Sequence, residues 1–177
     1  HGMALGGGCE ISLHADKVVA AAETYIGLVE FGVGVIPGGG GSKEMALRAS
    51  DTFKKNDVEL NVLQEYFLTI GMAKVATSAY EAFDLGLLQK GKDTVVVNKE
   101  RQIATAKAHA LLMAEAGYTQ PVLRKDVKVL GKQALGTLVT EQYLLDIERE
   151  AFLSLCTERK TLERIQHMLK TGKPLRN

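Results

Sequence analysis

The sequence predicts an α/β fold, with short strands and helices in the first quarter of the chain and longer helices in the remainder. Most of the 18 glycines lie within residues 1–41, which is typical of short elements joined by tight turns. Leu, Ala, Lys and Glu dominate the rest of the chain, and these residues favour helices. A hydrophobic content of 46% in 177 residues is enough for a buried core and excludes a disordered chain.

Short apolar segments predict a helix and two strands near the amino terminus. A brief helix is expected to follow the glycines at residues 6–8 and to end before Asp16. Residues 17–22 and 24–29 are β-branched and apolar but too short for independent helices, so both are predicted to be buried strands. Two glycines and an Ile-Pro pair predict a loop over residues 31–37.

The remaining elements are mostly helices. Ser42 is expected to cap a helix that runs through Ala49, and Ser78 is expected to open a helix that ends at Gly86. The polar segment 51–57 predicts an exposed excursion. The other predicted elements are helices over 58–70, 99–116, 138–156 and 161–170, the third with Glu148 among its polar positions, and a short strand pair or strand ends at 87–88 and 94–97.

Composition also limits the partners and the compartment. A net charge of +1, spread along the chain, gives no electrostatic reason to expect nucleic acid as a partner. The chain has only two cysteines, Cys9 and Cys156, which lie far apart and favour a reducing compartment over a disulfide-stapled fold. No apolar run approaches the roughly 20 residues of a membrane span, and no signal-peptide pattern is present. A cytoplasmic protein is therefore predicted.

The common nucleotide-binding and metal-binding motifs are not matched. In GGGGSK at 38–43 the serine precedes the lysine, which reverses the order that a P-loop requires. A dinucleotide fingerprint fails because Ile11 and Pro37 occupy the positions of the third glycine. His1, His109 and His167 show no metal-ligand spacing, so no metal site is predicted.

Two glutamates lie next to glycine-rich segments of the chain. Gly6, Gly7 and Gly8 precede a predicted helix and present N–H groups that suit an oxyanion. Glu10 falls in the first turn of that helix, and Glu30 follows the second predicted strand. Two carboxylates beside such donors can move protons next to a carbonyl, one by activating water and one by exchanging a proton with carbon. The helix dipole alone also favours an acid in a first turn, so both interpretations stay open at this point.

Longer motifs carry a resemblance to a known family. HGMALGGGCE at 1–10, GLVE at 27–30 and IPGGGG at 36–41 resemble the signature of the crotonase (enoyl-CoA hydratase/isomerase) superfamily. The two glutamates stand 20 positions apart, as they do in that family. TSAYEAFDLGLL at 77–88 is also similar to a family segment, so the likeness covers the first half of the chain.

The resemblance implies a fold. We expect a crotonase-like spiral of ββα units, of which the N-terminal part is missing from this chain, followed by a helical C-terminal region that mediates subunit contacts in the family. Residues 1–98 would form the catalytic part of the core and residues 99–177 the helical region. The missing part would supply a second oxyanion donor, and loss of one such donor costs about 2.7–4 kcal/mol. The isolated chain is therefore expected to be weakly active at best.

The resemblance also implies roles for individual residues. Gly7 matches the glycine of the oxyanion hole, Glu10 the carboxylate that holds and activates water, and Glu30 the acid that handles the α-carbon proton. Gly6 and Gly38 match glycines close to the substrate and the water. The presence of both acids implies hydration of a 2-enoyl-CoA to a 3-hydroxyacyl-CoA, with an acyl-CoA thioester as substrate. Isomerisation, decarboxylation or thioester hydrolysis on the same site stay open, as does a non-catalytic assembly module.

A second resemblance concerns the protein in which such a chain would occur. The ending at 160–177, with the stretch at 32–41, resembles the C-terminus of bacterial multifunctional fatty-acid-oxidation proteins. In these proteins an NAD-dependent 3-hydroxyacyl-CoA dehydrogenase precedes a crotonase-like domain. The resemblance implies no cofactor in this chain, NAD only in an upstream domain, and either a homo-oligomer or packing against that domain.

Other polar residues are assigned less specific roles. His14 follows Glu10 by one helical turn and is expected to be a surface histidine rather than a group that orients the carboxylate. Cys9 is expected to be a small packed residue rather than a nucleophile. A basic group near the middle of the second half consists of Arg124, Lys125, Lys128 and Lys132. We expect this group to form a solvated charged face rather than a binding site for CoA phosphates.

Overall fold

The computed structural model describes residues 1–53, 59–130 and 136–177, and its elements alternate between short strands and helices. The strands are β1 (Met3–Leu5), β2 (Val19–Ala21), β3 (Tyr25–Gly27), β4 (Val75–Ala76), β5 (Thr94–Val96), β6 (Val127–Leu130) and β7 (Gly136–Val139). The α-helices are α1 (Gly7–Leu13), α2 (Gly41–Thr52), α3 (Glu59–Gly71), α4 (Ala79–Asp84), α5 (Gln102–Glu115), α6 (Glu141–Cys156) and α7 (Arg159–Thr171). Two 3-10 helices lie at Glu30–Val33 and Lys99–Arg101.

The strands form three small sheets. β3 lies between β1, which runs parallel to it, and β4, which runs antiparallel. β2 pairs in parallel with β5, and β6 and β7 form an antiparallel hairpin. Because β1 and β3 are parallel, the chain between them must return along the sheet, and α1 forms part of that return.

The core lies where α1, α2 and α4 pack against the first two sheets. Its members are mostly small or aliphatic: Cys9, Leu13, Ala20, Ile26, Leu28, Met45, Ala76, Ala79, Ala82, Leu87 and Leu88. The alanines let helix and strand backbones approach closely. Gly27 has the same effect in β3, because a Cβ there would lie 2.5 Å from the carbonyl oxygen of Lys74.

The carboxyl-terminal helices reach the glycine-rich part of the chain. α6 packs against α2, and α7 packs against the 3-10 helix that begins at Glu30. Thr161 at the start of α7 donates a hydrogen bond to the carbonyl oxygen of Gly34 at 3.1 Å. α5, in contrast, buries none of its residues. The division of the chain at residue 98 stays a prediction, and the region beyond it holds the β6–β7 hairpin as well as helices.

Most of the predicted elements are confirmed, with shifted ends. The strands predicted at 17–22 and 24–29 correspond to β2 and β3, and the predicted helices at 99–116 and 161–170 correspond to α5 and α7. Ser78 caps α4 as predicted, since its hydroxyl accepts a hydrogen bond from the backbone of Glu81 at 3.1 Å. The 31–37 loop begins as a turn of 3-10 helix, and 87–88 is a buried turn rather than a strand end.

Three predictions about helix ends are wrong. Gly40, with φ of +93°, precedes α2 in the N-cap position, and the Ser42 hydroxyl instead donates to the carbonyl oxygen of Pro37. α2 continues to Thr52, so residues 51 and 52 are helical; residues 54–57 of the predicted excursion, and Val58, lie outside the described residues. α6 begins at Glu141 rather than at 138, because Thr140 caps it and the preceding residues pair in β7.

The helices also bear on membrane insertion. Within the described parts of the chain, no helix combines the length and the apolar character needed to cross a bilayer.

Candidate active site

Gly6 turns the chain from β1 into α1. Its φ of +56° favours glycine, and its N–H donates to the carbonyl oxygen of Gly27 at 2.9 Å. A Cβ on Gly6 would lie 3.3 Å from Oε1 of Glu30, so the missing side chain makes room for that carboxyl group. Gly7 and Gly8 follow as the first, exposed residues of α1, with open space where a Cβ would stand. First-turn N–H groups have no acceptor within their own helix, so this backbone can bind a ligand oxygen.

Glu10 projects from α1 and is held by the glycine-rich turn before α2. Its side chain is only 7% exposed. Oε1 accepts hydrogen bonds from the N–H groups of Gly39 at 2.8 Å and Gly41 at 2.9 Å. A Cβ on Gly39 would lie 2.7 Å from Oε2, and a Cβ on Gly41 would lie 2.8 Å from Oε1. Only glycine at these two positions lets the backbone approach the carboxylate so closely.

Glu30 stands on the other side of Gly6, at the start of the 3-10 helix. Its Oε2 is buried and has no hydrogen-bond partner among the described residues. Burial raises the pKa of this carboxyl group, and the nearby carboxylates of Glu10 and Glu148 raise it further. Buried polar atoms nearly always have a partner, so an unpartnered oxygen on a partly buried acid is typical of a group that exchanges protons with a ligand.

Cys9 lies behind the two acids and is fully buried. Burial raises the pKa of its thiol to about 12, and the charge of Glu30 adds to this effect. A thiol with such a pKa is not ionised near neutral pH, so it cannot act as a nucleophile. The prediction that Cys9 is a packed residue is confirmed.

His14 contacts the backbone of Glu10 and not its carboxylate. Nδ1 lies 2.7 Å from the carbonyl oxygen of Glu10, one helical turn away, and the histidine side chain is exposed. The expectation of a surface histidine with a polar partner agrees with this geometry.

Glu148 is a buried acid that local sequence patterns do not distinguish from the other polar residues of α6. Its side chain is 4% exposed, and its carboxylate accepts from the N–H groups of Gly40 at 2.6 Å and Lys43 at 2.8 Å. Burial raises the pKa of Glu148, and the charge of Glu10 contributes in the same direction. The apolar stripe of α6 predicts which residues of the helix face outward. It does not show that Glu148 contacts a turn more than 100 residues earlier in the chain.

Among the described members of the basic group near β6, Arg124 is bound within the fold and the two lysines are exposed. Arg124 donates to Asp51 and, at 3.0 Å, to Asp126, which raises the pKa of the guanidinium group. Lys125 and Lys128 are exposed, as expected for a solvated face, and Lys132 lies outside the described residues.

The structure brings together most of the predicted site residues. Gly6 and Gly7 lie at the turn into α1, Glu30 lies beside Gly6, and Glu10 of α1 is close enough for its charge to raise the pKa of Glu30. Gly38 belongs to the adjoining glycine-rich segment but faces a different side chain, because a Cβ there would lie 2.5 Å from the ring of Phe152. Gly39 and Gly41 contact Glu10 instead. Sequence reasoning did not single out these two glycines, although they belong to the same glycine run as Gly38.

Two larger proteins resemble the chain over nearly its whole length. It is 40% identical over 99% of its residues to a Bacillus subtilis (strain 168) protein named "Probable 3-hydroxyacyl-CoA dehydrogenase". It is 32% identical over 96% of its residues to a Rickettsia felis protein named "Putative fatty acid oxidation complex trifunctional enzyme". The chain spans about a quarter of the length of these relatives, 26% and 25% respectively. No family model matches the chain.

Solved structures of lower sequence identity share the fold. Carnitinyl-CoA hydratase from Mycobacterium avium superposes with a TM-score of 0.62 at 19% identity, covering 99% of this chain and 60% of that one. Enoyl-CoA hydratase from Bacillus halodurans superposes with a TM-score of 0.58 at 17% identity, covering 93% of this chain and 57% of that one. The predicted α/β, crotonase-like fold and the sequence resemblance on which it was based are confirmed.

Proposed function

Because the chain has the crotonase fold, we propose that it catalyses the addition of water to a 2-enoyl-CoA thioester, giving a 3-hydroxyacyl-CoA, in fatty-acid β-oxidation. The observation that carries this proposal is the proximity of two buried or partly buried carboxyl groups, Glu10 and Glu30, near the open backbone at Gly7 and Gly8. Such an arrangement can hold a thioester carbonyl and handle protons on both sides of its neighbouring double bond.

The N–H of Gly7 has the first task in this mechanism. It binds the thioester carbonyl oxygen, which gains negative charge as water adds to the β-carbon. The position is open to solvent and free of side chains, so the carbonyl oxygen can reach the backbone. Hydrogen bonds aimed at developing charge stabilise the transition state more than the ground state, which is the requirement for catalysis.

The two glutamates divide the proton transfers. Glu10 is fixed through Oε1 by two backbone donors, so its carboxylate is oriented and accepts a proton from water as the oxygen bonds to the β-carbon. Glu30, whose raised pKa favours the protonated form, delivers its proton to the α-carbon of the enolate. The net result is H and OH added across the double bond, and proton exchange between the two carboxyl groups restores the starting state.

The names of the larger relatives support the metabolic context. One is named a dehydrogenase of 3-hydroxyacyl-CoA, which is the product of enoyl-CoA hydration, and another is named for a trifunctional fatty acid oxidation complex. We propose that this chain is the hydratase part of such a multifunctional protein and that NAD is held by a part outside it. Assembly as an oligomer or against that part stays a prediction.

The experiment uses the full-length gene product that carries this chain. Hydration of crotonyl-CoA is followed by loss of the enoyl-thioester absorbance, and acyl-CoA binding is measured by calorimetry. Glu30→Gln keeps the volume but removes the transferable proton, so we expect turnover to fall by about 10²–10⁴-fold with binding retained. Glu23→Gln, an exposed glutamate in the turn before β3, is the matched control. Retained turnover in the Glu30→Gln variant would contradict the proposal.

The same assay separates the remaining functions of this site. Isomerisation of a 3-enoyl-CoA needs one proton-shuttling acid, so an isomerase would keep that activity in a Glu10→Gln variant and show little hydration in the wild type. An assembly module would show neither activity in the wild type.

A further inference from the structure

Two carboxylates bind one short stretch of backbone at the entry to α2. We call residues 39–43 the glycine turn. Its N–H groups alternate between partners: Gly39 and Gly41 donate to Oε1 of Glu10, whereas Gly40 donates to Oε1 and Lys43 to Oε2 of Glu148. The four distances lie between 2.6 and 2.9 Å. The glycine turn is therefore clamped from two sides, by α1 and by α6.

Glu148 serves as the cap that α2 lacks in its own sequence. The N-cap residue, Gly40, has a left-handed φ of +93° and no side chain, so it cannot cap the helix itself. First-turn N–H groups of a helix need acceptors from outside it. α6 packs against α2 and delivers the carboxylate of Glu148, which is 4% exposed, to these groups. Two of the N–H groups at this helix end, those of Gly40 and Lys43, are thus bound by an acceptor more than 100 residues later in the chain, and Glu10 binds the N–H of Gly41.

This arrangement links Glu148 to the acid that activates water. Gly40 lies between Gly39 and Gly41 in the chain, so the two donors that hold Glu10 cannot shift independently of the donor that Glu148 holds. The charges are linked as well. Glu10 raises the pKa of Glu148, and Glu148 raises the pKa of Glu30.

We propose that Glu148 is a positioning residue of the hydration site, which keeps the glycine turn in the conformation that orients Glu10. It does not touch substrate and acts only through the backbone of the turn. The proposal rests on the proposed function, because it assigns Glu148 a part in orienting the water-activating acid.

Several charged and titratable groups of the described residues lie around the three acids. Glu30 lies near Cys9, Glu10 and Glu148, and Arg164 of α7 lies beside the nearby Gly34. The ring of His14 lies close to Gly40, where a Cβ would come within 2.6 Å of its Nε2. α2 carries two buried cations: Lys43 is bound by Glu44 at 3.3 Å and Glu141 at 2.9 Å, and Arg48 is bound by Glu44 at 3.1 Å.

The test compares three variants of the full-length gene product. Glu148→Gln keeps the size of the side chain, removes its charge and turns an NH₂ group toward one of the N–H donors. Glu148→Asp keeps the charge and shortens the side chain by one methylene. Glu150→Gln changes an exposed glutamate on the same helix and is the matched control. Each is measured for kcat and KM with crotonyl-CoA, for the pH dependence of kcat, and for backbone hydrogen exchange in the peptide that contains the glycine turn.

Glu148→Gln is expected to lower kcat by about 10²-fold, the usual cost of displacing a reacting group by about 1 Å. KM should change little, and exchange in the glycine turn should become faster. The alkaline limb of the kcat profile should move to lower pH, because removing the Glu148 charge lowers the pKa of Glu30. Glu148→Asp should retain the wild-type position of that limb, and Glu150→Gln should match the wild type throughout.

Two results would overturn the proposal. One is wild-type kcat together with wild-type exchange in the Glu148→Gln variant. The other is a loss of kcat that follows the loss of folded protein, with the pH limb unmoved, which would give Glu148 a structural role only. A wild-type protein without hydratase activity would instead contradict the proposed function, while the exchange measurement would still report whether Glu148 holds the turn.

Discussion

Replacing Gly39 by alanine tests whether the glycine turn must bring its backbone against Glu10. The φ of Gly39 lies outside the left-handed region, so alanine can adopt the same backbone conformation. The new Cβ would lie 2.7 Å from Oε2 and 3.1 Å from Cδ of Glu10. Ordinary contacts begin near 3.4 Å, so the carboxylate must retreat by about 0.7 Å. Its hydrogen bonds to the turn, now 2.8 and 2.9 Å, would lengthen to about 3.5 Å, where such bonds are lost.

The expected consequence is mainly catalytic. A displacement of this size at a reacting group costs about 10²-fold, so kcat/KM for crotonyl-CoA hydration should fall by about that factor. Overpacking should lower the free energy of unfolding by about 1–3 kcal/mol, measured by urea denaturation. Gly32→Ala is the matched control, because its position is exposed, has no left-handed φ and has nothing within 4 Å of a new Cβ. A folded Gly39→Ala protein with wild-type kcat/KM would refute the reasoning.

Three further predictions concern the buried groups around the site. Cys9, with a thiol pKa raised to about 12, should resist iodoacetamide in the native protein while the partly exposed Cys156 reacts, as peptide mass mapping would show. Glu30→Gln should raise the free energy of unfolding at neutral pH and give no gain below the ordinary glutamate pKa of 4.5, because a raised pKa means that ionisation destabilises the fold. Urea unfolding at both pH values would test this. Glu81→Gln should instead lower the free energy of unfolding at neutral pH, since hydrogen bonds lower the pKa of Glu81. Gly27→Ala should lower the free energy of unfolding by about 3 kcal/mol in the same assay, because the new Cβ would meet a backbone carbonyl oxygen at 2.5 Å.

Helix caps show which parts of the fold can be predicted from local sequence. The cap at Ser78 is formed within four residues, by its own hydroxyl and the backbone of Glu81, so a local motif identifies it. The start of α2 has no such local cap. Its N–H groups are bound by Glu148 and Glu10, and the Ser42 hydroxyl, which local preference favours as the cap, bonds elsewhere.

Two of the strands that were not predicted, β1 and β4, share a physical reason. β1 and β4 have three and two residues, which is too short for an alternating pattern to be visible. Both exist because β3 lies between them and supplies their hydrogen-bond partners. Strands of this length are defined by the neighbouring strand, and that neighbour is distant in sequence for β4.

The site itself could be predicted in part. Spacing alone left the roles of Glu10 and Glu30 open, and the resemblance of the surrounding glycine motifs to a family signature led to the prediction of a shared site. The sequence does not show which glycine of the run at 38–41 would contact Glu10, because that depends on the path of the backbone into α2. Gly38 was expected near the water, but Phe152 of α6 occupies the space next to it.

The supports of the two acids come from beyond the predicted boundary at residue 98. Glu148 binds the turn that holds Glu10, Phe152 packs on Gly38, and Thr161 bonds to Gly34, the residue that follows the 3-10 helix beginning with Glu30. Both acids, and the glycine turn that binds Glu10, are therefore on one side of the boundary, whereas the side chains that support this turn and the end of the 3-10 helix are on the other. It follows that residues 1–98 would not preserve the geometry of the site without α6 and α7, even though they contain every residue to which a chemical step has been assigned.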